Sequence, residues 1–542
     1  MAEIIQQIPL QTIPGFSKLV GDYLTGHPEL KHLYKYDFNI DSFAQVIADK
    51  AKDNIDRELI VRVLKKQYAN VAMTDHTALN IELLASPMTF TVTTAHQPCV
   101  LLGPAFNIYK IASTINLAAQ LKAKYPEHNF VPVFWMGSED HDFEELGHTY
   151  IYGKKVEWPI TPPAPLSKGG VVEGGAYGRR KLTGFDKVLD EAQAIAGDAG
   201  KPLIDKLREG LTKFETFGPY TRYLINELFG ETGVVVLDQD DAELKKKFAP
   251  IIADEITKSS AVRVLADTVK WLDANYSAQA TPREINLFYL GDNSRERIIK
   301  THEGYEVNNT GLHFTESEIL KEIEANPQSF SPNVILRPVY QELILPNLAF
   351  VGGAGELSYW LELMPVFEYH KVNYPMLVMR TSVTVINNSI EKKINKLGLS
   401  AIDFFGNADQ TITGFVKSKL SDDIEFEGEK KTMAALFDSI VEKAEKVDPT
   451  LKAAVLAEKQ KQLNALDVLE SKIIKGEKRK QEESINQIRT LFQTFAPDQS
   501  WQERVENFIP FYLKNANYVS DSVRFCDPFG RSMLIMNQDS QV

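Results

Sequence analysis

The spacing of apolar residues changes near residue 89, and this change predicts where the core of the fold begins. Apolar residues in 1–85 recur every three or four positions, which is typical of helices. Residues 89–94 (TFTVTT) alternate and are β-branched, 106–123 return to helical spacing, and 130–136 (FVPVFWM) are almost continuously apolar. This order of strand, helix and buried strand predicts a βαβ unit with a right-handed crossover.

Two later apolar runs, 232–238 (TGVVVLD) and 376–379 (MLVM), predict further buried strands separated by helices. Such an alternation favours an α/β core with a mainly parallel sheet, which we place in residues 1–380. Two segments interrupt the rhythm. One near 150–215 contains a stretch rich in Pro and Gly, and one near 275–330 mixes short strands with turns. Both are predicted to be insertions into the core.

After residue 380 the pattern becomes helical, and a coiled-coil domain is predicted over 381–500. Apolar residues recur at helical spacing through 414–447. Asp448 and Pro449 then provide an N-cap and a proline at the first helical position of a second helix of about 45 residues. Two such helices predict an antiparallel coiled-coil arm. Residues 501–542 are expected to return to the core.

The composition narrows the class of protein. The 542 residues carry a net charge of −13, which opposes binding to nucleic acid or to an anionic membrane surface. Two cysteines, Cys99 and Cys526, cannot form a disulfide framework. The first residues do not resemble a signal peptide, and no apolar run approaches the roughly 18 residues of a membrane span. We therefore expect a protein of the reducing cytoplasm.

The loop after the first predicted strand is one candidate site. In parallel α/β sheets, ligands bind beyond the carboxyl ends of the strands, and free N–H groups at the start of the next helix favour an anion. The polar side chains that could reach such a ligand are His96, Gln97, Asn107, Tyr109 and Lys110. The alternative is an ordinary strand-to-helix connection in which His96 is a loop residue.

Residues 139–142 (EDHD) follow the second predicted strand and form another candidate. A histidine beside carboxylates can have its tautomer fixed and its basicity raised, which suits a general base. On this hypothesis His141 acts with Glu139, Asp140 and Asp142. The same side chains could bind a divalent metal, but adjacent residues rarely converge on one ion, and we expect no metal. The alternative is an acidic helix N-terminus, which the helix dipole favours.

Residues 331–368 supply a third candidate. Gly352, Gly353 and Gly355 could let the backbone approach a cofactor closely, and the helix beginning near Glu356 could receive an anion. The residues of this segment predicted to bind substrate are Arg337, Gln341, Asn347, Tyr359 and Trp360. The alternative is a glycine turn with the aromatic side chains in the core.

These candidates lie in three segments that together resemble one family. The segments are 94–110 (TAHQPCVLLGPAFNIYK), 131–148 (VPVFWMGSEDHDFEELGH) and 331–368 (SPNVILRPVYQELILPNLAFVGGAGELSYWLELMPVFE). Their order and sequence resemble the bacillithiol biosynthesis cysteine-adding enzymes, the cysteine ligases. His96 departs from the pattern of that family, whereas Gln97 matches it. The resemblance implies a Rossmann-like core with two connecting insertions, similar to class I aminoacyl-tRNA synthetases, and a coiled-coil domain that forms a homodimer.

The resemblance also implies a reaction. The carboxyl group of L-cysteine would be joined to the amine of glucosaminyl malate, with ATP as a possible cofactor. We expect His141, oriented by Asp140 or Asp142, to act as the base, and Lys110, Arg337 and Arg380 to bind carboxylates or the developing oxyanion. The alternatives are a nucleotidyl transferase or ligase acting on another small acid, and a non-catalytic coiled-coil scaffold.

Overall fold

The computed structural model describes residues 3–159, 175–419 and 426–539. Most of the Pro- and Gly-rich stretch in the first predicted insertion, 160–174, lies outside the described residues. The strands are β1 (Glu3–Pro9), β2 (Thr89–His96), β3 (Asn129–Met136), β4 (His148–Ile151), β5 (Lys154–Glu157), β6 (Val235–Asp238), β7 (Leu287–Leu290), β8 (Arg295–Thr301), β9 (Gly304–Val307), β10 (Leu312–Phe314), β11 (Phe330–Pro332), β12 (Asn347–Gly352), β13 (Met376–Met379), β14 (Ser382–Ile386) and β15 (Ser532–Asn537).

The α-helices of the described residues fall in two compact units, Met1–Ile386 with Gln502–Val542, and Asn387–Trp501. In chain order they are α1 (Lys18–Thr25), α2 (Phe43–Lys50), α3 (Arg57–Gln67), α4 (Asp75–Leu83), α5 (Phe106–Lys124), α6 (Phe143–Leu146), α7 (Phe185–Lys213), α8 (Phe217–Phe229), α9 (Ala242–Lys258), α10 (Ser260–Asn275), α11 (Glu316–Ala325), α12 (Arg337–Ile344), α13 (Ala354–Trp360), α14 (Met364–His370), α15 (Asn388–Leu397), α16 (Ala408–Ser418), α17 (Glu427–Val447), α18 (Leu451–Lys480), α19 (Glu482–Phe495), α20 (Gln502–Val505), α21 (Ile509–Lys514) and α22 (Tyr518–Phe525).

A five-stranded parallel sheet forms the centre of the larger unit, in the order β13-β12-β2-β3-β6. The chain starts this sheet at β2, adds β3 and β6 on one side, and then returns to add β12 and β13 on the other. The strand order therefore reverses between β2 and β12. In open α/β sheets the loops that diverge at such a switch point leave a crevice that binds ligands.

Smaller sheets surround this core. β15, near the end of the chain, pairs antiparallel with β1 and parallel with β14. Residues 287–332 contribute a separate antiparallel sheet in the order β10-β9-β8-β7-β11. β4 and β5 form an isolated hairpin. The predicted α/β fold with a mainly parallel sheet is confirmed in the core.

The smaller unit contains the predicted antiparallel helix pair. Lys430 of α17 lies 2.7 Å from Asp467 and 2.8 Å from Glu470 of α18, while Asp438 lies 2.6 Å from Lys459. The partners move in opposite directions along the chain, as an antiparallel pair requires. The second helix is not continuous, because it breaks at Gln481 between α18 and α19.

The break at Gln481 has a physical reason. α18 has no buried residue, whereas α19 buries Ile485, Ile488 and Leu491. Residues 476–484 (GEKRKQEES), between these two parts, contain no apolar side chain that could be buried and so support a continuous helix. The expected helix of about 45 residues therefore ends early, since its stripe of apolar residues packs in two different environments.

Candidate active site at the carboxyl edge of the parallel sheet

A buried ion pair lies between the strands that flank the switch point. Lys110 of α5 is almost fully buried, and its Nζ lies 2.6 Å from Oε2 of Glu356 in α13. The same Nζ donates a hydrogen bond of 2.8 Å to the carbonyl oxygen of Ala95, near the end of β2. Burial lowers the pKa of Lys110, although Glu356 opposes this effect. The ammonium group is therefore held at the carboxyl edge of the sheet, between the end of β2 and α13.

Arginine side chains surround this ion pair. Arg380, which follows β13, donates from Nη2 to Oε1 of Glu503 at 2.7 Å, and its buried Nε has no hydrogen-bond partner among the described residues. Partial burial and the nearby charge of Arg380 lower the pKa of Arg504. The charges of Arg380 and Arg337 both act on Lys110. Cations thus outnumber carboxylates in this part of the crevice, which favours an anionic ligand.

Arg337 is held by polar side chains of its own segment. It donates to Oε1 of Gln341 and to the hydroxyl of Tyr359, both at 3.1 Å. Arg337 and Tyr359 are both half-buried, so part of each side chain remains exposed to solvent. The structure brings Arg337, Tyr359, Lys110 and Arg380 into one region, as the predicted substrate-binding set requires.

The loop after β2 connects this region to the EDHD segment. His96 packs against Phe106 with ring centroids 5.3 Å apart. Burial, and then the charge of Lys110, lower the pKa of His96 to about 4, so this imidazole is neutral at neutral pH. Gln97 donates from Nε2 to Oδ2 of Asp140 at 2.9 Å. The candidate residues after β2 and after β3 therefore belong to one continuous site.

Glu139 faces away from the crevice. Its side chain is fully buried and forms an ion pair with Lys245 of α9. Its Oε2 accepts hydrogen bonds from Gln239 at 2.8 Å and from Ser331 at 3.0 Å. Burial raises the pKa of Glu139, while Lys245 opposes the change. Glu139 therefore anchors the start of the EDHD segment in the core, and its contacts are structural.

Asp140 and His141 face the site together. Oδ1 of Asp140 accepts the backbone N–H of His141 at 2.7 Å, and the His141 ring is 38% exposed. Nη1 of Arg295 lies 3.1 Å from Nδ1 of His141. Burial would raise the pKa of Asp140, but its hydrogen bonds with His141 and Gln97 and the charge of Arg295 outweigh burial and lower that pKa below the usual range. Asp140 is therefore ionised and acts as a hydrogen-bond acceptor.

Asp142 caps a short helix. Its Oδ1 accepts the backbone N–H of Glu145 at 3.1 Å, and its own side chain is exposed. This is the arrangement expected of an acidic helix N-terminus. Among the described residues, the contacts of His141 are with Asp140, Arg295 and Phe288, so Asp142 does not orient the imidazole.

Three of the other predicted substrate-binding residues pack within the core. Tyr109 is fully buried, and its hydroxyl accepts a hydrogen bond of 2.6 Å from Tyr518. Trp360 is fully buried and stacks on Phe350 with centroids 4.3 Å apart. Asn107 donates to the carbonyl oxygen of Leu102 at 2.8 Å and so closes the loop before α5.

Two further predicted residues, Gln341 and Asn347, belong to a buried polar network. Both donate hydrogen bonds to Oε1 of Glu342, at 2.9 and 2.7 Å. Burial raises the pKa of Glu342 to about 7, although Lys50 opposes the change. This network lies between α12 and the first residue of β12, so it fixes the helix that carries Arg337 rather than contacting a ligand.

Replacement of Glu342 with glutamine should make stability less dependent on pH. The raised pKa of Glu342 means that the unfolded state loses its proton first, so this group lowers stability as pH rises from about 4.5 to 7. One pKa unit is worth about 1.4 kcal/mol, so the variant should gain up to about 3 kcal/mol at pH 8 and almost nothing at pH 4.5. Urea unfolding at both pH values measures this, with the exposed Glu324→Gln as control. An equal effect at both pH values would contradict the prediction.

The predicted cofactor-binding glycines differ in their surroundings. A Cβ on Gly352 would lie 2.8 Å from the ring of Phe350, so this glycine is required by close packing. The amide of Gly353 donates to Oε2 of Glu356 at 2.9 Å, and Gly355 is exposed with open space around it. Glu356 itself is paired with Lys110. The backbone of this turn thus orients Glu356.

The start of α5 also offers fewer free N–H groups than a βα loop usually does. The amide of Ala105 donates to the carbonyl oxygen of Glu506 at 2.8 Å, and those of Asn107 and Ile108 donate to Pro104 and Ala105. Side chains therefore have to supply the binding of an anion in this crevice.

Several residues of the site were not predicted from the sequence. Arg295 comes from β8, Glu503 and Arg504 come from α20, and Asn507 follows it. Nδ2 of Asn507 donates to the carbonyl oxygens of Leu101 at 3.1 Å and Gly103 at 2.7 Å. Leu101 has a φ of 50° and Leu102 a φ of 63°, which are unusual for a bulky side chain. The loop before α5 is thus held by a segment distant in sequence, which no local motif could reveal.

Within the described ranges, no group of three or more His, Cys, Asp or Glu side chains has an arrangement that could hold a metal ion. Across the same ranges, each helix is too short or too polar to cross a membrane.

A parallel Rossmann-like sheet with a cationic crevice, joined to an antiparallel coiled coil, defines the class of this protein. The model of the family "Bacillithiol biosynthesis BshC, N-terminal Rossmann-like domain" matches residues 4–381. The model of its C-terminal coiled-coil domain matches residues 383–538. The chain belongs to this family, which confirms the resemblance found in its motifs. The likeness to class I aminoacyl-tRNA synthetases stays a prediction.

Relatives of similar length are named "Putative cysteine ligase BshC". The protein of Flavobacterium psychrophilum is 43% identical over 504 residues, which cover 92% of this chain and 93% of the relative. The protein of Cytophaga hutchinsonii is 36% identical, with 97% of each chain covered. The protein of Bacillus cereus is 27% identical, covering 91% of this chain and 93% of the relative.

Proposed function

We propose that this protein joins the carboxyl group of L-cysteine to the amine of glucosaminyl malate in the last step of bacillithiol biosynthesis. The names of its relatives support cysteine as one substrate and ligation as the reaction. The observation that carries the proposal is the cationic crevice at the switch point, where Lys110 meets Glu356 beneath Arg380.

The charge of this crevice suits the proposed acceptor. Among the described residues, Lys110, Arg337, Arg380 and Arg504 lie with the carboxylates of Glu356 and Glu503, and the charge of Lys110 also acts on Glu145. The malate part of glucosaminyl malate carries two carboxylates, which cations of this set could pair with. Because the whole protein is acidic, this local pairing has to supply the affinity.

ATP is the proposed co-substrate, because a free carboxylate does not react readily with an amine in water. ATP would convert one carboxyl oxygen of cysteine into part of a phosphate leaving group on the acyl carbon. Arg504 and the Nε of Arg380, which has no partner among the described residues, fit a phosphate, which leaves Lys110 and Arg337 for carboxylates, whereas the backbone amides at the start of α5 are largely occupied. The protein residues then bind the reactants and offset the charge that develops on the acyl oxygen.

The smaller unit supports a proposed homodimer. Leu436, Val468, Leu469 and Ile473 are exposed apolar residues on α17 and α18. Such a stripe on a pair of coiled-coil helices is typical of a surface that packs against a second copy. We further propose that the protein acts in the cytoplasm, where cysteine and its thiol products stay reduced.

Mass spectrometry of the reaction products tests the proposal. The purified protein is incubated with L-cysteine and glucosaminyl malate, with and without ATP. We expect the mass of the amide product, one water less than the sum of the two substrates, only when both substrates and ATP are present. The Lys110→Met variant, measured in parallel, excludes a contaminating ligase. Absence of product in every mixture would contradict the proposed ligation. Equal amounts of product with and without ATP would contradict the proposed role of ATP as co-substrate.

A further inference from the structure

Arg295 makes an unusual contact with the histidine of the EDHD segment. Its Nη1 lies 3.1 Å from Nδ1 of His141, with the geometry of a hydrogen bond. A guanidinium group has donors and no acceptor, so Nδ1 has to be the acceptor. An imidazole that accepts at Nδ1 carries its proton on Nε2. The tautomer of His141 is thus set by a residue of β8, 154 residues away in sequence.

The guanidinium of Arg295 cannot easily turn away from this contact. Its Nε donates to Oγ of Ser331 at 3.1 Å, and its Nη2 donates to the carbonyl oxygen of Pro332 at 3.3 Å. The ring of Phe288 lies 3.9 Å from the guanidinium carbon. The side chain of Arg295 is only 9% exposed. Contacts on its other atoms therefore leave Nη1 fixed toward His141.

Asp140 lies farther from this nitrogen than Arg295 does. Its Oδ1 is 3.6 Å from Nδ1 of His141 and 3.6 Å from Nη1 of Arg295, and it accepts the backbone N–H of His141 at 2.7 Å. Asp140 therefore binds the backbone N–H of His141, and Arg295 binds Nδ1 of its ring. Nε2 of the half-exposed ring has no hydrogen-bond partner among the described residues.

We propose that Arg295 is a positioning residue that keeps His141 as the Nε2–H tautomer, and that His141 donates a hydrogen bond to the acyl oxygen of the activated cysteine carboxyl. This role rests on the proposed function. As the amine nitrogen bonds to the acyl carbon, negative charge develops on that oxygen and the leaving group departs with its electron pair. The amine proton passes to water, because the one lone pair of the neutral imidazole is already occupied by Arg295. His141 is therefore a donor and not the general base expected from its carboxylate neighbours.

The tautomer can be measured without any substrate. Protein labelled with ¹⁵N-histidine gives one pair of ring nitrogen signals for each histidine, and those of His141 are identified by their loss in His141→Gln. We expect a protonated Nε2 and an unprotonated Nδ1 in the wild type, and a loss of this preference in Arg295→Met. A protonated Nδ1 in the wild type would overturn the proposal, even if the Arg295 variant failed to fold.

Two substitutions of His141 then separate a donor from a base. The amide nitrogen of glutamine can replace the Nε2–H donor, whereas that of asparagine stands nearer to Nδ1. We expect His141→Gln to keep turnover within about tenfold and His141→Asn to lose about 10²-fold, the effect of removing one oxyanion donor. Equal losses in both variants would overturn the donor role. If the wild type forms no amide product, the proposed function fails, and the ¹⁵N signals still decide the tautomer.

Discussion

Replacement of Lys245 with methionine is expected to lower the free energy of unfolding by about 3–5 kcal/mol, the usual cost of leaving a buried charge without its partner. Lys245 and Glu139 are both fully buried and paired with each other. Lys245 also donates to the carbonyl oxygen of Phe330 at 2.6 Å, so the variant loses a link to β11 as well. Urea unfolding followed by tryptophan fluorescence measures the change, since Trp135, Trp158, Trp271 and Trp360 all lie in the larger unit.

The loss should depend on pH in a defined direction. Burial raises the pKa of Glu139, and Lys245 is the group that opposes this rise most strongly. Without Lys245 the folded state holds the Glu139 proton more tightly than the unfolded state does. Stability of the variant should therefore fall further behind the wild type as pH rises above the pKa of an unfolded glutamate, about 4.3.

Two control variants isolate the charge effect. Lys246 is adjacent in α9 but exposed, so Lys246→Met should change stability by no more than about 0.5 kcal/mol. The double variant Lys245→Met with Glu139→Gln removes both charges and should recover most of the loss. If the double variant were as unstable as Lys245→Met alone, lost packing and not an uncompensated charge would be the cause.

The strands of the core were predictable because each is a short apolar run with a clear end. The run at 130–136 lies within β3, whose eight residues begin at Asn129. Since parallel strands share one carboxyl edge, the sequence also indicated that Lys110, Gln97 and Asp140 would face one crevice. The structure places these three residues there, through hydrogen bonds and the Lys110–Glu356 pair.

The partners of these residues could not be predicted in the same way. Arg295 and Arg504 lie in segments without a motif, and only the folded chain brings them to the sheet edge. The direction of a side chain beyond a strand end is also not encoded in apolar spacing. Glu139 and Asp140 are neighbours in sequence, yet Glu139 is buried against Lys245 and Asp140 faces Gln97. Tyr109 was predicted to reach a ligand with its polar group and Trp360 to bind substrate, although both aromatic rings fill the core.

Replacement of Lys110 with methionine is expected to reduce the rate of amide formation by about 10²–10³-fold, the effect of removing one charged donor from a site where negative charge develops. Lys110 is the cation that joins β2 to α13 across the switch point. Methionine keeps the length and apolar stem of the side chain but cannot bind an anion. The rate is measured by mass spectrometry of the product at saturating substrates.

The buried partner of Lys110 complicates a single substitution, because Lys110→Met leaves Glu356 without its cation and should also destabilise the fold. A double variant, Lys110→Met with Glu356→Gln, removes both charges and separates the two effects. Its urea midpoint should return toward that of the wild type, while its rate should stay low, since the ammonium group is still missing. If stability and rate returned together, Lys110 would serve only to hold the fold, and the cations that bind the reactants would have to be Arg337, Arg380 and Arg504. A low rate in a stable double variant would instead assign the anion-binding charge of the crevice to Lys110 itself.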